Sequence, residues 1–125
     1  MNTTDAVPCF PPKTESDSGG RVVQRCPLIA GTILVYDSPD KGNGARKVGT
    51  LRGGDSHNWF VGQIYRSNYV SGQDQNRWWA YTLSDSGPGT SSQWGWVPET
   101  FFQGGANNER DRDLLLCDTQ GNACH

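Results

Sequence analysis

Short stretches rich in β-branched and aromatic residues alternate with clusters of glycine, proline and small polar residues along most of the chain. The stretches are typical of β-strands, and the clusters between them are typical of turns. No long segment carries apolar residues at the 3.6-residue spacing of an amphipathic helix. The pattern predicts strands at 21–25, 32–36, 47–51, 57–65, 77–83 and 93–97. Several short strands at this spacing indicate a small antiparallel barrel or sandwich.

The segments between these strands are predicted to be turns and polar loops. A turn at 37–39 follows the strand at 32–36, and Pro98 ends the strand at 93–97. Polar loops are predicted at 41–44, 67–76 and 84–92.

Side-chain alternation separates the aromatic residues of the last two strands into two sets. The strand at 77–83 places Trp78, Ala80 and Thr82 on one face, and Trp79, Tyr81 and Leu83 on the other. The strand at 93–97 directs Trp94 and Trp96 to one side and Val97 to the other. Since a barrel this small buries only one face of each strand, both tryptophan-bearing faces cannot be core.

Composition divides the chain into three predicted parts. These are an N-terminal extension at 1–27, a β-barrel at 28–103 and a C-terminal extension at 104–125. Cys9 and Cys26 lie in the first extension, and Cys117 and Cys124 lie in the second.

The four cysteines predict two disulfides and an oxidising compartment, because their number is even and the chain is small and poor in apolar residues. Three pairings fit the sequence. One pairing joins neighbours in sequence, Cys9 to Cys26 and Cys117 to Cys124. Another joins the two ends of the chain, Cys26 to Cys117 and Cys9 to Cys124. No metal site is predicted, because no C-x-x-C pair occurs and the chain has only 2 histidines.

The size and charge of the chain limit its domain count and the classes of partner it is expected to bind. With 125 residues, of which 34% are hydrophobic, it is expected to form one domain whose core depends on aromatic rings. The net charge of −2 and the lack of a Lys/Arg run argue against nucleic-acid binding, and no apolar run is long enough to span a membrane. No apolar signal segment follows Met1, which fits either a cytosolic protein or the mature part of a secreted protein, and the four cysteines favour the second.

The segment GWVPETFF at 95–102 resembles the last-strand signature of Src-homology-3 (SH3) domains. RWWA at 77–80 resembles the double-tryptophan strand of the same family, and ILVYDSPD with KVGTLRGGD resembles the first half of bacterial SH3-like domains. The resemblance covers about 31–102. Together with WWAYTL, QWGWV and a GGANNE tail, it is similar to secreted single-domain proteins of actinobacteria. It implies an all-β fold, a small five-stranded SH3-like barrel with irregular N- and C-terminal extensions held by disulfides.

The resemblance also implies a ligand groove. It directs Ala80 and Val97 inward, which leaves Trp78 to form an exposed aromatic groove. The residues expected to bind ligand are Tyr36, Asp37, Trp78, Pro98, Phe101, Trp94 and Trp96, with Arg77 helping to orient the ligand. In the alternative interpretation, Trp79, Tyr81, Trp94 and Trp96 pack beneath the chain ends and are structural.

No catalytic constellation is found, so a non-enzymatic protein without a cofactor is expected. The side chains of consecutive residues at 55–57 point in different directions and cannot form a Ser-His-Asp relay. Glu99 falls at a spacer position of the SH3-like motif, and Glu109 lies in a charged tail. The predicted function is a secreted, monomeric module that binds a peptide or a cell-wall (peptidoglycan) component. The alternative is an interaction or inhibitor protein that acts on another secreted protein through its loops at 67–76 or 84–92.

Overall fold

The computed structural model describes residues 9–16, 18–54, 57–86, 89, 91–103, 109–111, 113–118 and 124. Its regular structure there is β-strand, apart from two single-turn 3-10 helices at Gly42–Gly44 and Glu99–Phe101. The prediction of an all-β fold is confirmed. No helix in this part of the chain is long or apolar enough to cross a membrane.

Eight strands form two antiparallel sheets in the described ranges. They are β1 (Lys13–Thr14), β2 (Val22–Pro27), β3 (Gly31–Tyr36), β4 (Lys47–Gly53), β5 (His57–Phe60), β6 (Gly62–Ser71), β7 (Asp74–Leu83) and β8 (Trp94–Pro98). One sheet has the order β1-β2-β5 and the other β4-β3-β8-β7-β6. Among the described residues neither sheet closes on itself, so the prediction of a five-stranded SH3-like barrel is not confirmed.

The polar segment at 67–76 is a strand pair, and the prediction of a loop there was wrong. β6 and β7 pair along this segment, with Tyr69 opposite Asn76 and Ser71 opposite Asp74. The chain reverses at Gly72, whose φ of 60° lies in the left-handed region that glycine adopts without strain. The register shifts between Tyr65 and Tyr69. Tyr69 and Asn76 are buried, so the segment has an inward face that its polar composition conceals.

The main core lies where one face of the five-stranded sheet meets the smaller sheet. Ala80 and Val97 stand opposite each other in β7 and β8 and are fully buried, so they point inward as the resemblance implied. The cluster they belong to draws residues from both sheets and from the chain ends: Cys9, Cys26, Leu28, Ile33, Val35, Leu51, Phe60, Phe102 and Leu114.

The disulfides join cysteines that are close in sequence. Cys9 is bonded to Cys26, and Cys117 is bonded to Cys124, which selects the first of the pairings compatible with the sequence. Cys26 lies in β2, which pairs with β5, so residues from the predicted N-terminal extension contribute a strand and a disulfide to the main core.

The outer edge of β6 is covered by two segments that are not strands. Near its end, the side-chain amide of Asn43 donates to the carbonyl of Val70 and accepts from its N–H, both at 2.8 Å. At its start, the N–H of Gln63 donates to the carbonyl of Leu115, and the N–H of Cys117 donates to the carbonyl of Gln63. Unpaired edges invite aggregation, so this covering protects the sheet.

The Cys117–Cys124 disulfide lies directly on the backbone of Gly62. A Cβ atom at position 62 would stand 2.7 Å from the sulfur atoms of both cysteines. The lack of a side chain at Gly62 is therefore what lets the C-terminal disulfide approach the sheet.

We predict that Gly62→Ala destabilises the protein by about 1–3 kcal/mol, because the added methyl group must displace the disulfide or the strand. Urea unfolding followed by tryptophan fluorescence measures the change. Gly44→Ala is the matched control, since a Cβ there meets no atom within 4 Å. Equal stability of the two variants would contradict the close contact.

Candidate functional site: an aromatic row beside a polar cleft

Tyr36, a predicted groove residue, is buried within an aromatic cluster. It is 7% exposed, its hydroxyl lies 2.7 Å from that of Tyr69, and its ring meets Trp79 edge to face at 6.0 Å. Burial, together with the hydrogen bond to Tyr69, raises the pKa of Tyr36 above its usual range. Half-buried Phe101 packs against the same Tyr69 ring at 5.5 Å. These rings support the fold from within.

Trp78 lies apart from Tyr36. It projects from the face of β7 opposite to Trp79, and its ring stacks obliquely on Tyr65 across the strand pair at 5.2 Å. The guanidinium of Arg77 lies over the Tyr65 ring at 4.6 Å. The structure therefore does not bring Trp78 and Tyr36 together in one groove.

Pro98 and Asp37 also occupy structural positions. Pro98 is buried at the end of β8, opposite Trp79. The carboxylate of Asp37 accepts hydrogen bonds from the backbone N–H of Arg46 at 2.9 Å and from Lys41 at 3.3 Å. The bond from Arg46 is the main reason that the pKa of Asp37 lies below its usual value. Asp37 therefore stabilises the turn after β3, and Pro98 packs at the end of β8.

Four rings form a continuous row, three of them on the face of the large sheet opposite the main core and the fourth from β5 of the smaller sheet. Trp59 lies 5.7 Å from Trp94, Trp94 stacks on Tyr81 at 5.3 Å, and Tyr81 contacts Trp96 at 4.7 Å between ring centroids. We call these four residues the aromatic row. Trp94 and Trp96 were predicted as ligand-binding residues, whereas Trp59 and Tyr81 were not.

Strand register builds the aromatic row. Tyr81 stands opposite Trp96, and Leu83 stands opposite Trp94, so residues of one parity on β7 and β8 share this face. Trp59 reaches the row because β5 runs beside the end of β7, where the Thr82 hydroxyl donates to the Trp59 carbonyl at 2.7 Å. Rings from three strands thus meet without any loop placing them.

A cation and an open ring make the row a candidate binding surface. Trp94 is 37% exposed and Tyr81 is half-buried, whereas Trp59 and Trp96 are buried beside them. The guanidinium of Arg21 lies 5.2 Å from the Trp94 ring centroid and 5.6 Å from that of Tyr81. A guanidinium at this distance attracts the ring faces and can also meet an anionic group of a ligand.

A polar cleft of about 280 Å³ adjoins the row at Trp59. Its lining residues include Arg25, Asn58, Leu83, Asp85, Ser86 and Ser92. Arg25 is fixed there, since it pairs with both carboxylate oxygens of Glu15 and donates to the carbonyl of His57. The hydrogen bond from Arg25 holds the pKa of Glu15 below its usual value.

The arrangement is suited to holding a ligand. Exposed aromatic faces provide apolar burial and stacking, and hydroxyl, amide and carboxylate groups in the cleft can orient what is bound. Within the described ranges, no group of three or more His, Cys, Asp or Glu side chains could hold a metal ion.

Two buried carboxyl groups lie outside the row. One oxygen of Glu99 accepts from the N–H of Asp111 at 3.0 Å, and both side chains are almost completely buried. Burial raises the pKa of Glu99 well above its usual value, and the charge of Asp111 adds to the effect. Burial likewise raises the pKa of Asp111 to about 6. The negative charges of Asp113 and Glu109 raise it further, and a backbone hydrogen bond from Asp113 opposes the rise.

Comparison with protein-family models, with curated proteins and with solved structures finds no match for the chain.

We predict that the stability of the protein falls as pH rises from about 4 to about 6, because Asp111 binds its proton more tightly in the folded chain than in the unfolded chain. This stabilisation is complete below the unfolded pKa near 4 and is lost as the pH passes the folded pKa. Asp111→Asn should match the wild type near pH 4 and exceed it by on the order of 2 kcal/mol near pH 7.5.

Urea unfolding across this pH range in buffer with EDTA measures the difference. Asp40→Asn, which removes an exposed carboxylate paired with Arg66, is the control and should not alter the pH profile by this amount. A wild-type profile that stays parallel to that of Asp111→Asn would contradict the assignment.

Proposed function

We propose that the chain is a secreted, non-enzymatic binding module related to bacterial SH3-like domains. We propose that its ligand is the peptide or glycan part of peptidoglycan, bound along the aromatic row. The observation that carries the proposal is the row itself, in which Trp94 and Tyr81 stack on the face of the sheet that the main core does not use.

Ring burial is the main expected source of affinity. Covering a large apolar side chain contributes roughly 1.5–3 kcal/mol, and Trp94 is the ring of the row with the most surface left to cover. Trp59 and Trp96 hold Trp94 and Tyr81 in place, so little side-chain freedom is lost on binding.

Orientation of the ligand is assigned to Arg21 and to the cleft. Arg21 places a positive charge over the two rings, and peptide stems carry carboxylates that such a charge attracts. Asn58, Asp85 and Ser86 supply donors and acceptors at the other end of the row. The apolar rings of the row and the polar groups of the cleft lie one after the other on the surface, which fits an extended ligand that lies across the ends of β5, β7 and β8.

Secretion is supported by the two disulfides, which persist in oxidising compartments.

A protein ligand, the alternative function, finds less support. Of the two loops through which an inhibitor was expected to act, the segment at 67–76 is paired strand with a tight turn and presents no long insertable loop.

We predict that Trp94→Ala weakens binding to purified peptidoglycan by about 10- to 100-fold, because it removes the most exposed ring of the row. Co-sedimentation with purified sacculi over a range of sacculus concentrations measures the affinity. Trp78→Ala is the matched control, since it removes a tryptophan from the opposite face of β7.

Retention of the Trp78→Ala variant at the wild-type level, with loss of the Trp94→Ala variant, supports the assignment. Loss of the Trp78→Ala variant alone would move the ligand to the Trp78–Tyr65 pair. Equal retention of both variants and the wild type would remove the aromatic row from consideration.

A further inference from the structure

The described residues 109–111 and 113–117, here called the C-terminal strap, contact strands of both sheets. Buried side-chain amides from three strands hold its backbone. Asn76 donates to the carbonyl of Glu109 at 2.9 Å, and Gln63 donates to those of Asp111 and Leu114 at 2.6 and 2.8 Å. Gln24 donates to the carbonyl of Asp113 and accepts from the N–H of Leu115.

These amides carry no charge at any ordinary pH, whereas in the middle of the strap the carboxyl group of Glu99 contacts the backbone N–H of Asp111, whose own carboxyl group is buried as well. Glu99 accepts from the N–H of Asp111 through one oxygen, and its second oxygen has no hydrogen-bond partner among the described residues. The Oδ2 atom of Asp111 also has none there. Two buried carboxylates on residues in direct contact cannot both keep a charge without a large cost in desolvation and repulsion. The hydrogen bond from the Asp111 N–H favours an ionised Glu99, but burial outweighs it and the pKa of Glu99 is raised.

We propose that Glu99 and Asp111 form an acid-locked latch, which holds the C-terminal strap on the sheets while the carboxyl groups are protonated and loosens it when they ionise. Glu99 lies in the 3-10 turn that follows β8, and Asp111 lies on the strap, so their repulsion acts between the sheet and the strap.

Among the described residues, the charged groups that act on Glu99 and Asp111 belong to the strap. Arg110 favours an ionised Glu99, whereas Glu109 and Asp113 oppose an ionised Asp111. The strands that hold the strap present the neutral amides of Gln24, Gln63 and Asn76. Arg110 also lies over the Trp78 ring, at 5.9 Å from the ring centroid.

Loosening of the strap reaches the aromatic row through the disulfide at its end. Cys117 is the last residue of the strap, and its disulfide to Cys124 lies on Gly62, which stands opposite Tyr81. Cys117 packs against the buried cluster that contains Trp96, as Tyr81 does, and Cys124 packs against the cluster of Trp59 and Val61. This regulation of ligand binding rests on the proposed function, whereas the latch itself does not.

Hydrogen exchange followed by mass spectrometry, at about pH 5 and about pH 8 with EDTA, tests the latch without any ligand. Rates are corrected for intrinsic exchange. The wild-type strap should lose protection by about 10-fold or more at the higher pH, because each unit of pKa shift corresponds to a factor of 10. Peptides from β3 and β8 report on global unfolding and should stay protected.

The double variant Glu99→Gln/Asp111→Asn should keep the same strap protection at both values, since its neutral groups resemble the protonated pair. Asp40→Asn should behave like the wild type. Equal protection of the wild-type strap at both pH values would overturn the latch, even if the double variant did not fold. Loss of protection in a folded double variant at the higher pH would overturn it as well.

The second part of the test measures the affinity of the protein for sacculi at the same two pH values. If the latch acts on the aromatic row, the wild type should change in affinity between them and the double variant should not. Strap loosening without any sacculus binding would leave the latch standing and refute the proposed function. If the strap loosens but the affinity for sacculi stays the same, the coupling between the latch and the aromatic row is refuted.

Discussion

The pairing of β7 with β8 fixes both faces of the large sheet. In this register Ala80 meets Val97 and Tyr81 meets Trp96, so small and aliphatic side chains point to the main core while aromatic ones point away from it. A slip of one residue would place tryptophans where the smaller sheet packs and would leave aliphatic side chains outside. The main core and the aromatic row are therefore two results of one strand register.

Some of this organisation is readable from the sequence, and the reason is the two-residue period of strands. The segments at 77–83 and 93–97 alternate clearly, so the separation of Ala80 from Tyr81 within one strand could be predicted before the strand partners were known. The separation of Val97 from Trp94 and Trp96 could be predicted in the same way. The all-β class and the presence of two disulfides follow from composition in the same way. None of these features depends on how distant segments meet.

Features that depend on distant segments were missed or placed differently. The hairpin at 67–76 escaped prediction because its inward residues include Asn76, a buried polar side chain whose amide donates to the carbonyl of the distant Glu109. Trp59 could not be assigned to the row, since its place depends on β5 running beside β7. Tyr36 resembles a groove residue in its local sequence, yet Tyr69 from the unpredicted hairpin covers it.

Side-chain amides replace backbone partners at several edges of this small protein. Asn43 hydrogen-bonds both backbone polar groups of Val70. Gln24 and Gln63 likewise hydrogen-bond backbone groups of the strap. A chain with few apolar residues must stabilise its margins with such contacts, because each buried backbone group needs a partner.

The seating of the C-terminal disulfide on Gly62 has an evolutionary consequence. Three positions far apart in sequence, 62, 117 and 124, are compatible only as a set, because a side chain at the first displaces the bond between the other two. Descendants that retain the cysteine bridge are therefore constrained to glycine at position 62. Lineages that lose the bridge are released from that constraint, because a side chain at position 62 can then occupy the space that the disulfide filled.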